Sequence, residues 1–179
     1  MIQNEPHIIE LNMQKIAKAN IWLTIILMII FFILNSLIHQ HFTIRFSFLD
    51  TIIFSLAYIV LIALHEAFHL IGFMIFGNVK YKELDYGVNL KLGIAYATTS
   101  KPLRNKAMKR ALLLPFWTTG VIPSMIGFYI DSTMLVLLGA VLIAGAVGDF
   151  YMYKELKKFT DDALVKDDPK LPKLYVYQT

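Results

Sequence analysis

The stretch between Lys18 and Arg45 contains no formally charged side chain, and the run from Asn20 to Leu37 is almost entirely apolar. A helix needs ~20 such residues to cross the hydrocarbon layer of a bilayer. This segment therefore predicts a membrane-spanning helix over about 20–38. Lysines ahead of an apolar stretch also resemble a secretory signal. However, the following flank, IHQHF, lacks a small-x-small cleavage site, which favours an uncleaved span.

Three more apolar segments follow the first, at about 51–76, 108–130 and 134–153. The third contains Pro115 and Pro123, which membrane helices tolerate. Composition agrees with this interpretation, since 57% of the residues are hydrophobic and 17% are charged. We therefore predict an all-α membrane protein with four transmembrane helices, forming a single polytopic domain over 1–179.

The distribution of lysine and arginine predicts how these helices are oriented. Four crossings place both termini on one side, and 16 of the 17 basic residues then lie on that side, in the N-terminus, the 77–107 loop with its edge, and the 154–179 tail. Arg45 lies alone on the other side. The positive-inside rule therefore predicts that both termini and the loop are cytoplasmic. The bases do not form one patch with interleaved aromatics, so we expect membrane lipids, and no nucleic acid, as partners.

The two segments predicted to be cytoplasmic differ in pattern. In the 77–107 loop, apolar residues alternate over 88–94, and Gly87 and Gly93 are turn or bulge signals, which together predict a short β-hairpin. The 154–179 tail has too few apolar residues for a core of its own, and we expect it to be docked on the surface or mobile. Its acidic pairs, at 161–162 and 167–168, lack the glycine and closing glutamate of an EF-hand and are interpreted as solvated.

The second span contains the sequence HEAFH, which places His65 and His69 four residues apart. On a helix the two imidazoles share one face, with Cβ atoms ~6 Å apart, so both can bind one zinc ion. Glu66 is rotated about 100° from His65, which suits a general base beside the metal. An accidental string in a buried helix is the alternative. However, each ionisable residue at mid-membrane costs ~2.5–3.5 kcal/mol, so three close together require an ion or a partner.

A catalytic zinc site needs a third protein ligand, and cysteine is absent from the chain. Ile75 stands where metzincins carry a third histidine. Asp149 is the only carboxylate inside the fourth span, and its depth differs from that of His69 by only ~5 Å at 1.5 Å per residue. We predict Asp149 as the third ligand, against the alternative of a helix-end carboxylate paired with Lys154. Weaker candidates in the loop are Glu83 and Asp85.

Other sites and protease classes fit the sequence less well. An aspartyl intramembrane protease needs two carboxylates at one depth, and neither Asp50 nor Asp131 can face Asp149. Ser124 lacks the glycine-flanked turn of a serine protease. His39 and His41 form a second candidate metal site, but two histidines in a short polar loop are more often surface residues.

The order HEAFHLIG, a basic loop, ALLLPFWTTGVIP, AGAVGD and a tail of the type DALVKDDP resembles the bacterial putative zincin peptidase family of unknown function, over about residues 50–179. An HExxH span followed by an aspartate in a later span also resembles the site-2 intramembrane metalloproteases. Those enzymes carry the aspartate in an NPDG or LDG setting, whereas this chain has AVGDF. The resemblance implies a zinc-dependent peptidase.

Together these features predict a zinc-dependent, membrane-embedded peptidase in a bacterial plasma membrane. His65, His69 and Asp149 would bind Zn²⁺, and Glu66 would act as the general base for a zinc-activated water. The expected substrate is a membrane protein or a peptide, and the sequence leaves a homo-oligomer open. The alternative function is a non-catalytic zinc-binding membrane protein, either a metal carrier or a structural or immunity-type partner.

Overall fold

The computed structural model describes residues 5–42, 47–89, 94–169 and 171–178. The helices in these ranges are α1 (Met13–Ile38), α2 (Phe48–Gly77), α3 (Asn105–Pro115), α4 (Ile122–Tyr129), α5 (Thr133–Gly145) and α6 (Val147–Leu156). Wider π-helical turns over Phe116–Val121 join α3 to α4. The predicted features at Arg45, Leu90, Leu92 and Gly93 lie outside the described residues.

Four helical stretches are long and apolar enough to cross a membrane, consistent with a multi-pass membrane protein. They run over Met13–Ile38, Phe48–Gly77, Asn105–Tyr129 and Thr133–Leu156, and each overlaps one predicted span. Exposed large apolar side chains are concentrated on α1 and α2, among them Trp22, Ile59 and Ile75. An apolar surface of this kind is expected where lipid replaces water.

Local sequence explains where two of these helices begin. Ser47 precedes α2, and its hydroxyl accepts a hydrogen bond from the backbone N–H of Asp50, while Asp50 Oδ2 accepts from the N–H of Ser47. This reciprocal arrangement is a capping box. Ser132 precedes α5, and its hydroxyl accepts from the N–H of Leu135 at 3.4 Å. Both serines satisfy helix-start donors that would otherwise lack partners.

The described strands are β1 (His7–Glu10), β2 (Leu84–Asn89), β3 (Ile94–Thr99), β4 (Leu103–Arg104), β5 (Leu164–Asp167) and β6 (Lys173–Tyr177). Strands β2 and β3 pair antiparallel, from Leu84 opposite Thr99 to Asn89 opposite Ile94, as the predicted hairpin requires. The other four form a sheet in the order β1-β6-β5-β4. An all-α fold was therefore an incomplete prediction, because the N-terminal segment and the tail form a sheet.

The chain divides into two compact units. The first contains the strands, α2 from Glu66 onward, α3 and most of α6. Its core is formed by side chains from the N-terminal strand, the tail strands and these helices, among them Ile9, Phe73, Met108, Leu156, Val165 and Val176. The tail has its apolar residues at alternate positions, so one face of its strands completes a core to which the helices also contribute.

Within the first unit, Asn105 fixes the start of α3 against the end of α6. Asn105 is fully buried, and its side-chain amide donates to the carbonyls of Leu156, Phe159 and Thr160 at 2.9–3.1 Å. The last carbonyls of a helix have no partner within the helix, so an amide that caps them stabilises the junction. This junction orients the helix that carries Asp149.

The second unit contains α1, α2 up to His65, the π-helical turns, α4 and α5. Small residues bring α4 and α5 together, since a Cβ placed on Gly127 would lie 2.7 Å from the backbone nitrogen of Val136. Asp131 accepts hydrogen bonds from the Asn35 amide at 3.0 Å and from His41 Nε2 at 2.8 Å. His39 Nε2 donates to the carbonyl of Phe128. His39 and His41 therefore join the end of α1 to the turn before α5.

Candidate metal centre

Helix α2 positions the three HEAFH residues that the sequence singles out. His65 and His69 lie one turn apart, and His69 is buried with 6% of its surface exposed, whereas His65 and Glu66 are half-buried. A rigid helix holds the two imidazoles at a fixed spacing, which a metal site requires.

Both ring nitrogens of His69 have an oxygen nearby. Nδ1 lies 3.2 Å from the carbonyl oxygen of Ala111, to which it donates a hydrogen bond. A proton on Nδ1 leaves the lone pair on Nε2, the nitrogen that lies 3.5 Å from Asp149 Oδ1. The Ala111 carbonyl thus fixes the tautomer and the ring orientation that a metal-binding histidine needs.

The proline four residues after Ala111 explains why this carbonyl is available. In a regular helix the carbonyl of Ala111 would accept from the backbone N–H of residue 115. Residue 115 is proline, which has no N–H to donate. A proline within an apolar helix is thus the signal in the sequence for the His69 partner, and sequence reasoning alone missed it.

His65 has a comparable partner on the π-helical turns. Its Nδ1 lies 3.2 Å from the hydroxyl oxygen of Thr119, a residue with 1% of its surface exposed. When Nδ1 donates to this hydroxyl, the lone pair of Nε2 is left for a metal. Widened helical turns often occur at functional sites, because they redirect side chains that a regular helix would aim elsewhere. Sequence reasoning missed Thr119, since nothing local distinguishes it from its neighbour Thr118.

Asp149, in the first turn of α6, completes the group. One ligand atom from each of His65, His69 and Asp149 lies within 4.8 Å of the others. Among the described residues, this is the one group of three or more metal-binding side chains that comes together in this way. Two imidazoles and one carboxylate are a ligand set typical of catalytic zinc, and the two Nδ1 hydrogen bonds supply the expected outer contacts. The donor set therefore fits zinc.

The structure does not bring the weaker candidates into this group. Glu83 accepts a hydrogen bond from the backbone N–H of Lys80 at 2.8 Å, and Asp85 is exposed on β2. Glu66 also lies outside the group, although it shares a helical turn with both histidines. A carboxylate beside the ligands, rather than one of them, is the position expected of a general base.

Comparison with known families bears on this arrangement. Residues 58–164, more than half of the chain, match the family described as "Putative zincin peptidase". The chain belongs to this zincin family. No curated protein and no solved structure matches the chain. The matched residues include HEAFH, Pro115, Thr119 and Asp149, so the region that defines the family contains the whole candidate metal centre.

Just beyond the region shared with the zincin family, Asp167 ends β5, at a position where the sequence predicts a solvated tail residue. Burial of its carboxyl group raises its pKa to about 7, although the residue as a whole keeps some exposed surface. The Thr98 hydroxyl, the backbone N–H of Asp168 and the nearby imidazole of His69 act in the opposite direction. The tail therefore places a carboxyl group in the neighbourhood of His69.

Proposed function

We propose that this chain is a zinc-dependent membrane-embedded peptidase of the site-2 type. The observation that carries the proposal is the convergence of His65, His69 and Asp149 within 4.8 Å, on helices long and apolar enough to cross a membrane. Membership of the zincin family supports the metal and the peptidase chemistry. The asymmetry of basic residues supports an orientation with both termini in the cytoplasm, and the proposed location is a bacterial plasma membrane.

In this proposal His65, His69 and Asp149 hold the metal, and the other residues orient them. A bound zinc ion would polarise the scissile carbonyl and make water more acidic. Glu66 accepts a proton from the attacking water and passes it to the leaving nitrogen of the cleaved peptide. Ala111 and Thr119 keep both imidazoles in the tautomer whose Nε2 faces the group.

The substrate in this proposal is a membrane protein or a peptide in extended form. A helical substrate would have to unwind, because its carbonyls are engaged in hydrogen bonds within the helix. In the described part of the chain β3 is the one strand that pairs with β2, and we propose that a substrate segment adds at the other edge of this pair. A substrate segment held there would present an unwound peptide bond.

The test combines metal analysis with turnover. Purified wild-type protein is expected to contain about one zinc per chain, and His65→Ala, His69→Ala and Asp149→Ala are expected to lose it. Glu66→Gln should retain zinc and lose hydrolysis of fluorescently labelled casein and of a model transmembrane substrate in liposomes. Glu83→Gln is the matched control, since its carboxylate lies outside the group, and it should keep both properties.

The competing function is a non-catalytic zinc-binding membrane protein, such as a metal carrier or a structural or immunity-type partner. It predicts stoichiometric zinc in wild type and in Glu66→Gln, with equal and negligible hydrolysis by both. Absence of zinc from the wild type would contradict both functions.

A further inference from the structure

The end of α2 and the start of α3 line an open basin in the first unit, and none of its lining residues belongs to the candidate metal centre. Its volume is about 560 Å³, within the usual range for small-molecule sites. Four of its lining residues are cationic, namely Lys101, Arg104, Lys106 and Arg110. No aspartate or glutamate is among the described residues that line it.

Two of the four cations already have partners. Lys101 donates to the carbonyls of Gly77 and Asn78 at 3.3 and 2.7 Å and so caps the end of α2. Arg104 lies 3.3 Å from Asp162, but both side chains are more than 70% exposed, so this pair contributes little. These two residues therefore shape the basin and add positive charge to its rim.

The other two cations, Lys106 and Arg110, are exposed on successive turns of α3. Neither has a carboxylate within ion-pair distance in the part of the chain that the structure describes. An acidic group that responds to them is Asp161, whose pKa is lowered first by its hydrogen bond with Lys109 and then by the charges of Lys109, Lys106 and Arg110. Positive charge thus remains in excess on this face.

The floor of the basin is apolar. Leu103 is buried, with 2% of its surface exposed, and Ala107 and Phe76 lie beside it. The guanidinium of Arg110 lies over the Phe76 ring, 6.0 Å from its centroid, which holds the charge above the floor. A cationic rim over an apolar floor matches a ligand with an anionic head and an apolar body.

The first backbone amides of α3 do not form this site. The N–H groups of Asn105 and Lys106 already donate to the carbonyls of Ala163 and Asp161. Recognition of an anion would therefore come from the side chains. The basin lies where two candidate spans end, which is the level at which phosphate headgroups meet a membrane protein.

We propose that this basin binds a phosphate group, with Lys106 and Arg110 as its principal contacts, and that an anionic phospholipid supplies the phosphate. The apolar floor favours the lipid as the source over free phosphate. The positive-inside rule requires only that basic residues lie in the loops on one side of the membrane. It does not require them to line a cavity, as the four cations of this basin do. The proposal does not depend on the peptidase activity.

Native mass spectrometry of the detergent-purified full chain tests the proposal. Wild type is expected to retain phosphatidylglycerol at least about 10-fold more strongly than phosphatidylcholine, and Lys106→Glu/Arg110→Glu should lose this preference. Lys82→Glu/Lys154→Glu, which makes the same change in net charge outside the basin, should keep it. Thermal unfolding checks that each variant folds, and Lys106→Gln/Arg110→Gln replaces the charge reversal if that variant does not.

A second arm distinguishes the source of the phosphate. If millimolar inorganic phosphate displaces phosphatidylglycerol and is itself retained by wild type but not by the double variant, the basin binds phosphate and the free anion is its ligand. If phosphate does not compete, the lipid is the ligand. Equal retention of the two lipids by wild type, with no phosphate bound, or the same preference in all variants, would overturn the proposal.

Discussion

The Nε2 atom of His69 lies 3.5 Å from Oδ1 of Asp149, although the two residues belong to different helices. The opposite nitrogen of the same ring donates to the carbonyl of Ala111. The imidazole is thus oriented by a backbone oxygen on one side, while its other nitrogen faces the carboxylate proposed as a fellow metal ligand. A change in the contact with Ala111 should therefore act on metal binding through the orientation of His69.

Pro115 provides one test of this dependence. Pro115→Ala supplies an N–H that competes with His69 for the Ala111 carbonyl, so we expect zinc affinity to fall ~10-fold, as for loss of an outer contact. The thermal midpoint should not fall, because the substitution restores a helical hydrogen bond. Chelator competition measures the affinity and differential scanning fluorimetry measures the midpoint.

The matched control is Pro123→Ala, which changes a proline in the first turn of α4. It should leave zinc affinity unchanged. Equal zinc affinity in Pro115→Ala and wild type would show that the missing N–H is not what frees the carbonyl for His69.

Thr119 provides the corresponding test for His65. Thr119→Val keeps the side-chain shape and removes the hydroxyl, so Nδ1 loses its partner 3.2 Å away. We expect zinc affinity to fall by ~10- to 100-fold. Thr119→Ser, which restores the hydroxyl, should recover most of the loss. Similar losses in the valine and serine variants would point to packing, and not to the hydrogen bond, as the contribution of Thr119.

The sequence alone predicts where the apolar helices lie, but it does not predict which residues form hydrogen bonds with the two histidines. The predicted span at about 51–76 corresponds to α2 over Phe48–Gly77, because a continuous apolar run is a local signal. Asp149 is predicted as a ligand because it is the only carboxylate inside the fourth span and lies at nearly the depth of His69, and the structure groups it with both histidines. In contrast, Thr119 and Ala111 act on histidines far along the chain, and no local pattern identifies such partners.

The tail shows the same limit for the fold. Leu174 and Val176 are buried on one face of β6, while Lys173, Tyr175 and Tyr177 stay partly exposed. This alternation is visible in the sequence, but β6 needs β1 from the other end of the chain as its neighbour. A strand whose pairing depends on such a distant segment cannot be recognised from the composition of the tail.

Gly72 should matter for stability because α2 and α3 approach closely at this residue. A Cβ at position 72 would lie 2.8 Å from the Cα of Ala111 and 3.0 Å from its Cβ. Backbone atoms cannot rotate away, so we expect Gly72→Ala to cost ~1–3 kcal/mol and to move the carbonyl that His69 uses. Both the thermal midpoint and zinc affinity should fall.

Gly145→Ala is the matched control for Gly72→Ala, since a Cβ at position 145 meets nothing within 4 Å. It should be neutral or slightly stabilising, because alanine favours helix more than glycine does. If Gly72→Ala proves as stable as Gly145→Ala, α2 and α3 can separate at this point without cost. The close approach of Gly72 to Ala111 would then have no structural role.

Asp167 should make stability depend on pH. Its pKa is about 7 in the folded chain, above the ordinary 3.8 of an exposed aspartate, because burial disfavours the charged form. Between these values the folded state binds a proton that the unfolded state does not, so stability falls as pH rises through about 7. The thermal midpoint of metal-free wild type should therefore be higher at pH 5.5 than at pH 8, and Asp167→Asn should reduce that difference by raising the midpoint at pH 8.

Asp162→Asn, at a carboxylate that is 78% exposed, is the matched control for Asp167→Asn and should leave the difference between the two pH values unchanged. An unchanged difference in Asp167→Asn would mean that the buried carboxyl of β5 does not titrate in this range.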